Sequence, residues 1–221
     1  MRTLIGDVPD GWQTKPLETF CEVTAGPSGG AARTRRRTGT GGARVPLIVP
    51  KNIVEGRIVA EKPAYVSEEK AERLRNYRLE PGDVVGVRTA SIGRYALVGA
   101  EHAGSLFNTA CLRIRPDKEH VYPGYLLHYL RNPLVREWVE QNSLKSTIRS
   151  INTETIRQLP LVLPPMPVQE SIGGVLSALD EKMAVHAEIS RCAGELRDQL
   201  SPLLLTGALP ASYGARPGDD R

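Results

Sequence analysis

Aromatic residues make up only 5% of the 221 residues, with two Trp and two Phe, so any core must rest on Val, Leu and Ile. Cysteine is scarce as well. Cys21, Cys111 and Cys192 are odd in number, far apart and never form a CxxC pair. That pattern excludes a disulfide framework or a structural zinc site of the usual spacing, and it reads as three buried free thiols. His102, His120, His128 and His186 lack the i, i+4 spacing that puts two imidazoles on one helical face, so no metal site is expected. No apolar run approaches the roughly 20 residues that cross a bilayer, and MRTLIGDVPDGW lacks the apolar centre of a signal peptide. The expectation is a cytoplasmic protein.

Motifs that carry chemistry are missing too. There is no GxxxxGK[ST] loop, and GPSGG and GTGGA lack both the following Lys and a helix that could cap a phosphate. No Ser-His-Asp elbow and no Gly-rich strand-to-helix fingerprint for a dinucleotide or methyl donor occurs. Asp83 is the one acid in a setting that resembles a site, but Pro-Gly-Asp before a strand is a common turn, and turn residue is the better reading. A non-catalytic chain is expected, with no cofactor of its own.

What is present is positive charge, unevenly placed. Residues 1–165 hold 24 Lys and Arg against 17 Asp and Glu, a net of +7, whereas residues 166–221 hold 5 against 8, a net of −3. A polyanionic partner is expected for the first part only. The stretch ARTRRRTGTGGAR (Ala32–Arg44) sets five arginines among small residues with nothing large and apolar to bury. With Arg35, Arg36 and Arg37 at its centre it reads as a disordered solvating run, a nuclear address, or a basic loop held against a polyanion.

The first part reads as short strands and a few helices. VPLIV, GRIVA, DVVGVR, RYALVG, ACLRIR and LPLVL are β-branched or alternating runs bounded by turn residues. SEEKAERLR starts on a Ser67 cap. YPGYLLHYLRNPLVREWVEQN gives two helices broken at Asn132-Pro133, with Leu126, Leu130, Leu134 and Trp138 as a core stripe. At LPPMPVQE the composition changes, and a helix of about 35 residues from Pro167 to Ser201 is expected, roughly 50 Å long, ended or kinked by Pro202. Along it Ile172, Leu176, Leu179, Met183, Leu196 and Leu200 recur at heptad-like steps, interrupted by His186 and Ser190. Such a helix seeks a partner or folds back on its own domain. The fold class is therefore α+β: a curled-sheet domain over 1–165 with short helices, a coiled-coil-type helix over 166–206, and a flexible tail over 207–221.

Two polar clusters stand out. VRTASIGR places Arg88, Thr89, Ser91 and Arg94 around a turn between two strands, and SLKSTIRSINTET places Lys145, Ser146 and Arg149 before an Asn152 helix cap. Arginine can hold guanine O6 and N7 together, and hydroxyls can satisfy phosphates or bases. These are the candidate DNA contacts.

The order of segments resembles the specificity subunits of Type I restriction-modification systems. DGWQTKPLETFCEV, VPLIVPKNIVEGRI, LEPGDVVGVRTASIGRYALV, FNTACLRIRP, YPGYLLHYL and above all PLVLPPMPVQESI leading into the helix carry the likeness over about residues 8 to 206. The resemblance implies a target recognition domain that contacts one half of a bipartite double-stranded DNA target, followed by a helical spacer. It implies partners as well: modification subunits that bring S-adenosylmethionine and methylate adenine, and a motor and nuclease subunit in some systems. Family members usually carry two recognition domains, so a chain of this length looks like a half-size subunit whose copies pair through the helix. The competing expectation is a module that docks on methyltransferase subunits, for instance against restriction, without binding DNA.

Overall fold

The structure, a computed structural model, describes residues 1–27, 44–59, 64–144 and 149–208. In chain order the elements are β1 (Arg2–Thr3), β2 (Gly6–Asp7), β3 (Gln13–Pro16), β4 (Cys21–Ala25), β5 (Arg44–Ile48), β6 (Ile53–Val54), β7 (Arg57–Ile58), β8 (Ala64–Ser67) and α1 (Glu68–Arg73). There follow β9 (Val84–Val87), β10 (Tyr95–Leu97), β11 (Leu106–Phe107), β12 (Cys111–Pro116), α2 (Pro123–Arg131), α3 (Pro133–Gln141), α4 (Thr153–Arg157), β13 (Pro160–Leu163) and α5 (Met166–Leu205). The chain divides into two compact units, one ending at Ser177 and one starting at Ala178. The first unit thus includes the opening turns of α5.

An antiparallel sheet in the order β10-β9-β12-β4 forms the centre of the first unit. A second sheet, β11-β5-β8, joins β11 to β5 in parallel and β8 to β5 antiparallel, and β13 pairs with β3. The run VVGV of β9 is buried at every position because both of its faces are covered. Val84 faces a core with Leu112, Ile114, Leu126 and Leu130, while Val85 and Val87 face a second core with Ile53, Phe107 and Cys111. A short continuous apolar run is what a strand covered on both faces needs. Alternation instead governs β12, where Leu112 and Ile114 enter the first core, and Arg113 and Arg115 take the opposite face.

The helix signals act as the sequence implies. Ser67 Oγ accepts from Lys70 N at 3.4 Å, Asn132 Oδ1 from Leu134 N at 2.9 Å, and Asn152 Oδ1 from Thr155 N at 2.7 Å. Three expectations need correction. Leu134 is 44% exposed, and the buried face of α3 is Val135 and Val139. The Asn132-Pro133 break resets the helical phase, so a stripe counted through it from α2 comes out one residue off. Pro202 does not end α5, which runs 40 residues to Leu205, about 60 Å. Termination falls at Gly207, whose φ of +74° is left-handed, with Thr206 Oγ1 donating to Pro202 O at 2.7 Å. Cys192 is exposed, unlike Cys21 and Cys111.

No helix is long and apolar enough to cross a membrane among the described residues. The tail from residue 209 onward lies outside them.

Candidate nucleic-acid interface

The turn between β9 and β10 is closed by Val87 N donating to Arg94 O at 2.9 Å, and it contains two left-handed residues, Ala90 at φ +66° and Gly93 at +84°. A non-glycine residue there costs on the order of 1 kcal/mol and persists only when its neighbours hold it. They do so from both sides. Arg88 N donates to Ala110 O at 2.9 Å, Ile151 N to Arg88 O at 2.9 Å, and Ala90 N to Arg149 O at 2.8 Å. Thr89 and Ser150 bridge as antiparallel partners, as do Leu144 and Ser150. The segment around Arg149 is thereby stapled along the turn, and Arg88, Thr89, Ser91 and Arg149 converge although some 60 positions separate them in sequence.

The side chains at this rim differ in what they can offer. Thr89 and Arg88 are half-buried, while Ser91 and Arg149 are exposed. No described residue accepts a hydrogen bond from the Arg88 guanidinium, whereas Thr89 Oγ1 lies 3.4 Å from Ala110 O. Arg149 Nη1 stands 4.0 Å from Glu140 of α3, a pair exposed enough that solvent screens it. Arg94 reaches the same turn, but its Nη1 donates to Ile53 O at 3.3 Å and its Nε is buried without a hydrogen-bond partner. Its head group faces the second core. Lys145, Ser146, Arg35, Arg36 and Arg37 lie outside the described residues.

A further cation joins the rim that sequence reading missed. Arg136, exposed on α3, places its Nε 3.5 Å from where a Cβ on Gly93 would sit. Nothing in LVREW distinguishes it from an ordinary solvated helix charge; only the packing of α3 against the Gly93 turn brings it there.

Several other basic residues of the first unit are engaged internally. Arg113, buried, pairs with Glu22 at 2.8 Å and donates to Asn76 O and Arg78 O. Arg115 binds Asp83 at 2.8 Å, and Arg157 Nη2 donates to Val23 O at 3.1 Å. The Cys21 and Cys111 thiols are both pushed up to about 12 by burial, which leaves them inert. Among the described residues no group of three or more His, Cys, Asp or Glu is arranged to hold a metal ion.

On α5, Leu176, Leu179, Met183, Val185, Ile189 and Leu196 are all exposed, with Met183 at 66%. Leu200 is half-buried, and Ile172 packs against the first core.

The first unit thus presents arginines and hydroxyls on a stapled rim, in a chain that continues as a long helix with exposed apolar residues. The sequence matches the Type I restriction modification DNA specificity domain over residues 9–191, and the chain belongs to that family. A relative assigned as the MjaX type I restriction enzyme specificity subunit of Methanocaldococcus jannaschii is 27% identical over 185 residues, 81% of this chain and 42% of the relative. The fold is similar to the HsdS subunit of Thermoanaerobacter tengcongensis, with a TM-score of 0.60 at 18% identity over 96% of this chain and 53% of that one. It is also similar to a chain from a study of complex assembly in a type I R-M system, with a TM-score of 0.58 at 20% identity over 97% and 52%. The chain thus spans less than half the length of the curated relative and about half that of the solved ones.

Proposed function

We propose that this chain reads one half of a bipartite duplex DNA target and, without catalysing a reaction itself, directs adenine methylation by partner modification subunits that carry S-adenosylmethionine. The observation that supports it most is the convergence of Arg88, Thr89, Ser91 and Arg149, joined by Arg136, on a rim held by main-chain hydrogen bonds. Base readout needs a few donors held in fixed register, and a turn whose amides and carbonyls are tied to two neighbouring segments provides it. Arg88 takes the base-reading role, and Arg136 and Arg149 take phosphates. Arg35, Arg36 and Arg37, with Lys145 and Ser146, add counterion release without choosing a sequence. Arg94 serves to anchor the turn.

The exposed Leu176, Leu179, Met183 and Leu196 support the second part of the reading, in which α5 pairs with a second copy or with an equivalent spacer helix. Two copies related by a two-fold axis would read inverted half-sites. In some settings a motor and nuclease subunit completes the assembly, and the work is done in the cytoplasm.

The test is a map of methylated adenines in source cells with and without the gene. Loss of methylation at one interrupted motif is the expected result. An unchanged map, with the modification subunits shown to be active, would replace this reading with a module that docks on those subunits and reads no DNA.

A further inference from the structure

Glu140 is an exposed carboxylate in the last turn of α3, where the helix dipole disfavours a negative charge, and no basic residue of α3 shares that turn. Arg149 Nη1 stands 4.0 Å away, but both side chains are exposed, so the pair adds little to stability. Folding gives no reason for an acid at this position.

What the structure does give Glu140 is a fixed base at the rim. Its carbonyl accepts from Ser143 N at 3.3 Å and from Ser143 Oγ at 2.7 Å, and the preceding Val139 is buried in the first core. One turn back along the same face of α3, Arg136 lies against the Gly93 turn. Arg149, whose carbonyl accepts from Ala90 N, belongs to the segment stapled along that turn. Glu140 is therefore held beside the residues that converge there.

The chemistry it adds is opposite to theirs. Arginines are donors only, whereas an ionised carboxylate is an acceptor only and is repelled by phosphate. On a duplex such a group finds its partner at a base amino group. In the major groove cytosine offers N4, guanine offers only the acceptors N7 and O6, and thymine offers O4. Adenine has an amino group as well, but its N7 acceptor lies beside it. Facing the wrong base, the carboxylate is desolvated and left unpaired, and that penalty is what turns a contact into discrimination.

From this arrangement we infer that Glu140 is a specificity-determining residue of the rim: it accepts a hydrogen bond from the N4 amino group of one cytosine in the half-site, while Arg149 offsets its charge against the neighbouring phosphates. The inference rests on the DNA-recognition reading above and adds the base that this part of the rim selects.

Glu140→Ala and Glu140→Gln test it in the full chain with the modification subunits present. The parent's methylation map should show a G·C pair within the half-site. In Glu140→Ala that position should accept other base pairs at about a tenth or more of the parent level, with the remaining positions kept. Glu140→Gln, whose amide can hold adenine N6 and N7 together, should move the preference at the same position towards A·T. Fluorescence anisotropy on duplexes that differ at that pair alone should show discrimination falling about fivefold or more in Glu140→Ala, the size of one base contact. Affinity for duplexes of any sequence should rise at the same time, because a negative charge has been removed. A motif unchanged in both variants, or a loss spread over every position alike, would overturn the inference, since Glu140 would then act only through its field or through the fold. A parent half-site without a G·C pair would overturn it too. Failure of the recognition reading looks different: the parent itself would direct no methylation and would bind no duplex selectively.

Discussion

The Asp83 carboxylate holds Arg115 with both oxygens: Oδ1 accepts from Nε and Oδ2 from Nη2, each at 2.8 Å. Asp83 is almost fully buried, and Oδ2 also accepts from Glu80 N at 2.8 Å, so one side chain ties β12 to the turn that launches β9. Asp83→Ala removes two charge-assisted bonds and leaves a half-buried guanidinium without its main partner. The expected loss is about 2 to 3 kcal/mol. Urea unfolding should show a lower midpoint at an unchanged slope. A midpoint equal to the parent's would mean that Glu80, 2.8 Å from Arg115 Nη1, takes over the pair.

Glu22 provides a pH signature for the same face of the sheet. The Thr24 hydroxyl that donates to its carboxylate, and then Arg113 beside it, hold its pKa below the usual carboxylate range. A lowered folded-state pKa contributes stability that is present above the unfolded value, about 4.3, and is lost as pH falls through the folded value. Glu22→Gln should therefore flatten the acid limb of the stability curve. Melting temperatures measured from pH 7 down to pH 3 check it, and parallel curves for variant and parent would count against the link.

How far these relations were legible in the sequence depends on their range. Local chemistry was readable: the six apolar runs became strands, Ser67, Asn132 and Asn152 cap helices, and Asp83 sits in a turn. Where the answer depended on packing, the pattern fell short. Leu134 looked like core because i, i+4 counting ran through the Asn132-Pro133 break, and Arg94 looked like a rim residue because nothing near it in sequence announces Ile53 O as its acceptor. Arg136 was unreadable for the converse reason: an exposed helix charge carries no local mark of the loop it lies against. Gln169 stood in the motif that carried the family resemblance, but the three main-chain groups that its buried amide binds come from segments up to 49 residues away.

The thiols should separate cleanly. Burial pushes Cys21 and Cys111 up to about 12, while Cys192 is exposed on α5. Iodoacetamide at pH 8 should modify one cysteine rapidly in the folded chain and three after unfolding, because only accessible thiolate reacts. Mass spectrometry of the labelled peptides gives the count. Rapid labelling of Cys111 in the folded chain would show that the second core opens on the timescale of the reaction.

Arg88 and Arg94 flank one turn and should respond oppositely to truncation. Arg88→Ala should leave unfolding unchanged and weaken binding to the target duplex by about 1 to 3 kcal/mol, the range for a lost bidentate base contact. Arg94→Ala removes the bond to Ile53 O and should lower stability by about 1 to 2 kcal/mol. Its DNA affinity, measured where the variant is still folded, should change less than that of Arg88→Ala. Fluorescence anisotropy on a duplex carrying the methylated motif, beside urea melts of both variants, decides between them. The reverse ranking in binding would move the base contact to Arg94.

Gly173 and Gly174 are adjacent in α5, and alanine should affect them with opposite sign. At Gly174 no atom lies within 4 Å of an added Cβ, so the substitution removes only the helix penalty of glycine, about 1 kcal/mol in favour of the folded state. At Gly173 the same intrinsic gain is opposed by a Cβ at 2.7 Å from Tyr125 N, a main-chain atom inside α2 that has no room to yield. Overpacking of that kind costs about 1 to 3 kcal/mol, so the net change should be destabilising. In a chain of this size each kcal/mol moves the melting temperature by about 2 to 4 °C. Gly174→Ala should therefore melt a few degrees above the parent and Gly173→Ala a few degrees below. Equal rises for both would mean that the first turns of α5 can shift away from α2 at little cost, and that the close approach at Tyr125 is a preference of packing rather than a fixed contact.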